Sequence, residues 1–161
     1  MSKEYEYSFK VKDVHKFIEY CVSHNYEKIE DYEQIRTLYK NGGKIMARIT
    51  KNIYEDKTEE VLNFKDDNLN NDVLTVCRES EDLIITDENK NFVKSLIDIL
   101  DLNDKKVLAR HRVTFENNNV KFEIDEYTSP EMKVVAIEGN KKQVDQIYKG
   151  IENIINENRV D

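Results

Sequence analysis

The chain has 161 residues but a single proline, two cysteines and no long apolar run, and each scarcity excludes something. One proline in a sequence that is 39% hydrophobic and 36% charged argues against disorder and against a proline-rich linker. Cys21 and Cys77 sit in apolar contexts with no CxxC or Cys/His spacing. They read as reduced core thiols, not as a zinc site, and fit a cytosolic compartment. His15, His24 and His111 also lack metal spacing and read as surface or packing residues. No stretch approaches the roughly 18 apolar residues a membrane span needs, and the N-terminus has no signal-peptide core, so a soluble cytoplasmic protein is expected. Positive charge is in deficit as well. A formal net charge of −8 makes duplex DNA an unsuitable partner through bulk electrostatics, although a basic patch inside a cleft is compatible with it. The length supports one core, so a single domain over residues 1–161 is expected, as a monomer or homodimer.

What is present is alternation. Glu4, Glu6, Ser8 and Lys10 fall on one face of a strand, and Tyr5, Tyr7 and Phe9 on the other. Asp13 then caps a helix with a stripe of Val14, Phe17, Ile18, Cys21 and Val22. Strands are predicted at 30–39 and 44–50, joined through Asn41-Gly42-Gly43, and at 59–65 and 73–78, joined by a polar turn over 66–72. A helix from about Asn89 carries Val93, Leu96, Ile97 and Leu100. Strands resume at 106–115 and 120–127 around the turn Asn117-Asn118-Asn119, and at 133–138 after the break at Ser129-Pro130. Asn140 caps a last helix with Val144, Ile147, Ile151 and Ile154 inward. The sum is an α+β chain: an eight-stranded antiparallel β-barrel with about three flanking helices.

Strand after strand carries charge on one face: Glu4 and Glu6, Lys44 and Arg48, Lys65, Arg78, Arg110 and Arg112, Glu123 and Asp125, Glu138. If the apolar faces pack outward on helices, these charges line a polar tunnel. Hard oxygen ligands such as Glu4, Glu6 and Glu138 select Mg²⁺ or Mn²⁺. Arg48, Arg78, Arg110 and Arg112 suit phosphate, because the guanidinium fork binds it bidentately. The bland alternative for Arg110 and Arg112 is an exposed strand face paired with Glu123 and Asp125 across a hairpin, with no function.

At these residues the chain resembles the CYTH domain of the triphosphate tunnel metalloenzymes, a family of adenylyl cyclases, thiamine triphosphatases, inorganic triphosphatases and RNA triphosphatases. Glu4-x-Glu6 is similar to the family's ExExK strand, Ala47-Arg48-Ile49 to its RxR strand, and Asn63-Phe64-Lys65 to a following strand that ends in lysine. Arg78, with Glu79 and Glu81, falls where the family has an arginine followed by acidic residues. Arg110 and Arg112 are similar to its KxR pair, Phe122-Glu123-Ile124-Asp125 to a strand ending in aspartate, and Val135-Ala136-Ile137-Glu138-Gly139 to its closing ExE strand. The sequence departs from this pattern at Ser8, Thr50 and Ala136, where the family has lysine, arginine and glutamate; Lys10 and Lys44 could partly replace the lost charge. The resemblance implies metal-dependent hydrolysis of a triphosphate-containing small molecule or RNA 5′ end. Glu6, Arg110 and Arg112 would be catalytic. Lys10, Lys44, Arg48, Lys65, Arg78, Arg110 and Arg112 would bind phosphate. Glu4, Glu6, Glu123, Asp125 and Glu138 would hold Mg²⁺ or Mn²⁺. The alternatives are a degenerate tunnel that binds a phosphorylated ligand without turnover and, less favoured, an adenylyl cyclase, since nothing in the sequence reads as an adenine pocket.

Overall fold

A computed structural model describes residues 2–66 and 74–160. The described chain contains nine strands and four helices: β1 (Ser2–Val11), α1 (His15–Ser23), β2 (Glu27–Lys40), β3 (Ile45–Ile53), β4 (Thr58–Asp66), β5 (Leu74–Glu79), β6 (Leu83–Ile84), α2 (Lys90–Ile99), β7 (Asp104–Asn117), β8 (Val120–Ser129), β9 (Glu131–Gly139), α3 (Lys141–Gly150) and α4 (Glu152–Asn158). The hydrogen-bonded order is β3-β2-β7-β8-β9-β1-β5-β4-β6, and a further β3–β4 pairing joins the series into a closed antiparallel barrel of eight strands. The ninth, β6, lies outside the ring on β4, where Val61 faces Ile84 and Leu62 faces Leu83. It is two residues long, too short for alternation to reveal it. The polar turn expected over 66–72 lies largely outside the described residues.

Local chemistry explains the hairpins. Asn118 and Asn119 both take positive φ, 49° and 64°, as a two-residue primed turn between β7 and β8 requires. Gly139 closes β9 at a crowded point: a Cβ there would stand 3.1 Å from the Asn119 carbonyl oxygen. Asn140 then caps α3, its side-chain oxygen accepting from the Gln143 amide at 2.9 Å. Asp13 does not cap α1 in the expected position; its carboxylate accepts from the His15 amide at 3.0 Å and Val14 takes the cap.

Backbone proximity groups the chain into two compact units, Met1–Lys3 with Tyr32–Leu69 and Cys77–Ala109, and Glu4–Asp31 with Asn70–Val76 and Arg110–Asp161. In the second unit, Phe9, Val11, Phe115, Val120, Phe122, Ile124, Val135 and Ile137 present one strand face to Phe17 and Cys21 of α1, Val144 of α3 and Ile155 of α4. The expected last helix is in fact two, α3 and α4, meeting at Gly150 and Ile151, and the shift makes Ile155 the fully buried residue while Ile154 packs only partly. Val22 is 65% exposed, because the buried stripe of this short helix consists of Phe17 and Cys21. Tyr7 fastens α3 to β1 by donating its hydroxyl to Asp145 at 2.6 Å and stacking on Tyr148 at 4.2 Å between ring centroids. In the first unit, Ala47 and Leu62 of the sheet pack with Val93 and Ile97 of α2 and with Leu102.

Both cysteines are free and buried, and burial pushes the Cys21 thiol up to about 12. Among the described residues no helix is long and apolar enough to cross a membrane.

Candidate functional site

Strand parity sends every second side chain away from the helices. In the second unit that places Glu4 and Glu6 of β1, Arg110 and Arg112 of β7, Glu123, Asp125 and Tyr127 of β8, and Glu138 of β9 on the polar face. Register brings the acids together: Glu6 is the cross-strand partner of Glu138, and Glu123 faces Ala136, two residues from Glu138. The carboxylates of Glu6, Glu123 and Glu138 each offer an oxygen within 4.8 Å of the others. Burial, the charges of Glu123, Glu4 and Glu6, and a hydrogen bond with Glu123 push the Glu138 carboxyl up to about 9. It therefore keeps its proton at neutral pH. Crowded carboxylates relieve their repulsion by holding a proton, as Glu138 does, or by pairing with a cation, as Glu123 does with Arg112, and a hard divalent ion would serve the same purpose.

The arginines beside them are fixed by the same strand. Arg112 grips Asp125 with two parallel bonds, Nε to Oδ1 at 2.7 Å and Nη2 to Oδ2 at 2.8 Å, and reaches Glu123 with Nη1. Arg110 donates from Nη1 to Asp125 at 3.1 Å and to the Tyr127 hydroxyl, and its guanidinium lies 5.4 Å from the centre of the Tyr127 ring. Arg110, Arg112 and Asp125 are all buried. Asp125 thus serves the arginines, while the three carboxylates that converge are Glu6, Glu123 and Glu138.

The first unit has its own polar face. Arg48 donates from Nε to Asn63 at 3.0 Å and from Nη2 to Glu79; Asn63 donates to the same Glu79 oxygen at 2.6 Å, and Lys65 stands 3.7 Å from the other oxygen. Lys65 and Glu79 are cross-strand partners. That pairing corrects the expectation for Arg78, which parity turns to the opposite face of β5, where it is exposed and paired with Asp66 at 3.2 Å. Lys10 and Lys44 are exposed too and join neither group, Lys44 because it precedes the first residue of β3.

The three departures from the family pattern now have positions. Ser8 and Ala136 are cross-strand partners, so the expected lysine and glutamate are missing from one cross-strand pair. Thr50 faces Arg36, whose Nε donates to the threonine hydroxyl at 3.1 Å, so the adjacent strand carries a guanidinium to the point where the second arginine is absent. Arg36, Glu79, Asn63 and Tyr127 were missed as site residues. Parity alone would have found Tyr127, which follows Asp125 by two positions, whereas Arg36 as the cross-strand partner of Thr50, Asn63 as that of Arg48 and Glu79 as that of Lys65 needed the register between strands.

The sequence matches no protein-family model and no curated protein. The structure does match solved ones. A candidate adenylate cyclase from Bacillus halodurans superposes with a TM-score of 0.62 at 12% identity, covering 100% of this chain and 95% of that one. The fold is the one this cyclase candidate has. A candidate adenylyl cyclase from Hippeastrum, with a dominant triphosphatase activity, gives 0.61 at 12% identity over 96% and 87% of the two chains. A chain of the Schizosaccharomyces pombe Mediator head module gives 0.68 at 6% identity over 94% and 96%. Such identities establish shared architecture, and one architecture hosts several functions.

Proposed function

We propose that this chain binds a triphosphate-containing ligand together with Mg²⁺ or Mn²⁺ and hydrolyses it in the manner of a tunnel triphosphatase. The observation that carries the reading is the convergence of Glu6, Glu123 and Glu138 beside two buried, pre-oriented arginines. The donor set is all oxygen and three carboxylates strong, which fits a hard divalent cation. When bound, such an ion supplies charge neutralisation at phosphate oxygens and acidifies a coordinated water.

Arg110 and Arg112 are held rigidly by Asp125 and Tyr127, so they oppose developing charge on a transferred phosphoryl group without reorganising. Glu138 would be one of the residues to hold such an ion and would have to release its proton to do so, which would couple occupancy of the site to its charge. The buried thiols and the polar fold fit a cytoplasmic setting. A second reading is favoured by the Ser8–Ala136 pair: a tunnel short of one lysine and one glutamate that retains a phosphorylated ligand or RNA 5′ end without turnover.

Phosphate release from tripolyphosphate, ATP, thiamine triphosphate and 5′-triphosphate RNA, each with Mg²⁺ and with Mn²⁺, separates the two. Release is expected with at least one of these substrates, and Arg110→Ala should lower its rate by about a hundredfold or more, the loss typical of a missing transition-state donor. No release from any of them would leave the binding reading in place.

A further inference from the structure

A cavity of about 320 Å³ lies wholly within the first unit. Ile45, Phe64 and Leu100 form its apolar wall, and Lys65, Asp66 and Arg78 supply the polar part. Register explains where it stands. Phe64 is the cross-strand partner of Ala47, and Ile45 follows the parity of Ala47, so both fall on the face that packs with α2 and not on the face of Arg48 and Glu79. Leu100 ends that helix, and its carbonyl accepts from the Asn41 side chain at 3.1 Å, which ties the β2–β3 turn to the helix end. Ala47 is fully covered whereas Ile45, two residues nearer the strand end, is 49% exposed, so the apolar cover runs out over this cavity. An open apolar hollow stabilises nothing by itself, because its wall lacks contacts on one side.

We propose that this cavity binds a small amphipathic monocarboxylate, its apolar body against Ile45, Phe64 and Leu100 and its carboxylate on Arg78. Size sets the first limit. The volume is that of about ten waters at roughly 30 Å³ each, which suits a molecule of about ten non-hydrogen atoms and lies at the lower end of the usual range for ligand pockets. Charge sets the second. Arg78 binds Asp66 through Nε and Nη2, both at 3.2 Å, and through its backbone amide at 3.0 Å. That occupies one edge of the guanidinium, and Nη1 has no acceptor among the described residues, so a second carboxylate can take the other edge. Hydrogen bonds from Arg78 above all, with a smaller contribution from the Lys44 charge, hold the Asp66 carboxyl below the ordinary range, which places Lys44 close to the same rim. Lys65 turns its ammonium to Glu79 at 3.7 Å and adds no charge here. Two cations therefore face one carboxylate, a surplus of one, which a single carboxylate neutralises and a doubly charged phosphate would exceed. The site is separate from the triphosphate reading, because Arg78 lies on the opposite strand face from Glu79.

Calorimetry on the full chain with octanoate, 1-octanol and octylamine, each below its aggregation concentration, tests this alongside methyl NMR spectra of the octanoate titration. Octanoate should bind at least about tenfold more tightly than octylamine and should shift the methyl signals of Ile45 and Leu100 while leaving those of Val144 and Ile155, in the other core, in place. Arg78→Gln should weaken octanoate roughly tenfold, as loss of a charge-assisted hydrogen bond does, and change octanol by less than about twofold. Ile45→Trp, which fills the cavity from an exposed position, should weaken both. Circular dichroism shows whether each variant is folded, and if Ile45→Trp is not, the Arg78→Gln comparison and the methyl shifts decide alone. Octanoate that leaves the Ile45 and Leu100 methyls unmoved, octylamine that binds as well as octanoate, or Arg78→Gln protein that binds octanoate like the wild type overturns the site. Tripolyphosphate binding by Arg78→Gln should match the wild type, so the triphosphate reading stands or falls separately.

Discussion

Arg112→Ala is expected to lower unfolding stability by about 3 kcal/mol, the low end of the range for removing one partner of a buried ion pair. The side chains involved are nearly inaccessible, 10% for Arg112 and 4% for Asp125, and the substitution breaks two bonds to Asp125 and one to Glu123 at once. Arg110 remains on Asp125, which is why the loss should not reach the upper end near 5 kcal/mol. Urea unfolding measures this directly. The same variant should lose most of the thermal stabilisation that tripolyphosphate gives the wild type. Arg78→Ala, at an exposed pair on the opposite strand face, should change neither quantity noticeably. A stability loss for Arg112→Ala below about 1 kcal/mol would mean that the pair is screened by solvent and that the arginine is not held as described.

A second large effect concerns pH in the absence of divalent metal. The Glu138 carboxyl is raised from 4.5 to about 9, so the folded state binds a proton that the unfolded state releases across that window. The stabilisation is fully present below about pH 4.5 and disappears as pH rises through 9, with a slope of at most about 1.4 kcal/mol per pH unit. Asp31, Asp66 and Asp145 are lowered by their partners His111, Arg78 and Lys141, and they act in the opposite sense, but only below the ordinary carboxylate range. The two windows therefore do not overlap. Metal-free protein should show a thermal midpoint that falls steadily from pH 5 to 9, Glu138→Gln should flatten that fall, and Mg²⁺ or Mn²⁺ should restore stability at the alkaline end of the wild-type curve. A midpoint independent of pH over this range would show that Glu138 is not crowded by its neighbours.

Alternation carried most of the architecture. It separated Tyr5, Tyr7 and Phe9 from Glu4 and Glu6, and Phe122 and Ile124 from Glu123 and Asp125, and the strands at these residues divide in that way. It placed Arg110 with Arg112 and offered their pairing with Asp125 and Glu123 as an alternative on an exposed face; the pairing is present, but Arg110, Arg112 and Asp125 are buried. Three things were not legible. Parity within β5 is ambiguous without register, so Arg78 was placed where Glu79 stands. The β6 strand is too short to show a period. The help that Thr50 receives from Arg36 depends on which residue faces which across β2 and β3, and no single-strand pattern contains that information.

The measurement that bears most directly on the metal-assisted triphosphate site is a titration of Mn²⁺ against the protein at pH 8, followed by the electron paramagnetic resonance of the free ion. Wild type should remove Mn²⁺ from solution, more tightly with tripolyphosphate present, and the nearly isosteric Glu6→Gln/Glu138→Gln protein should stay folded by circular dichroism while losing that uptake. Wild-type protein that leaves the Mn²⁺ signal unchanged, or a double variant that takes up the ion as well as the wild type, would contradict the account.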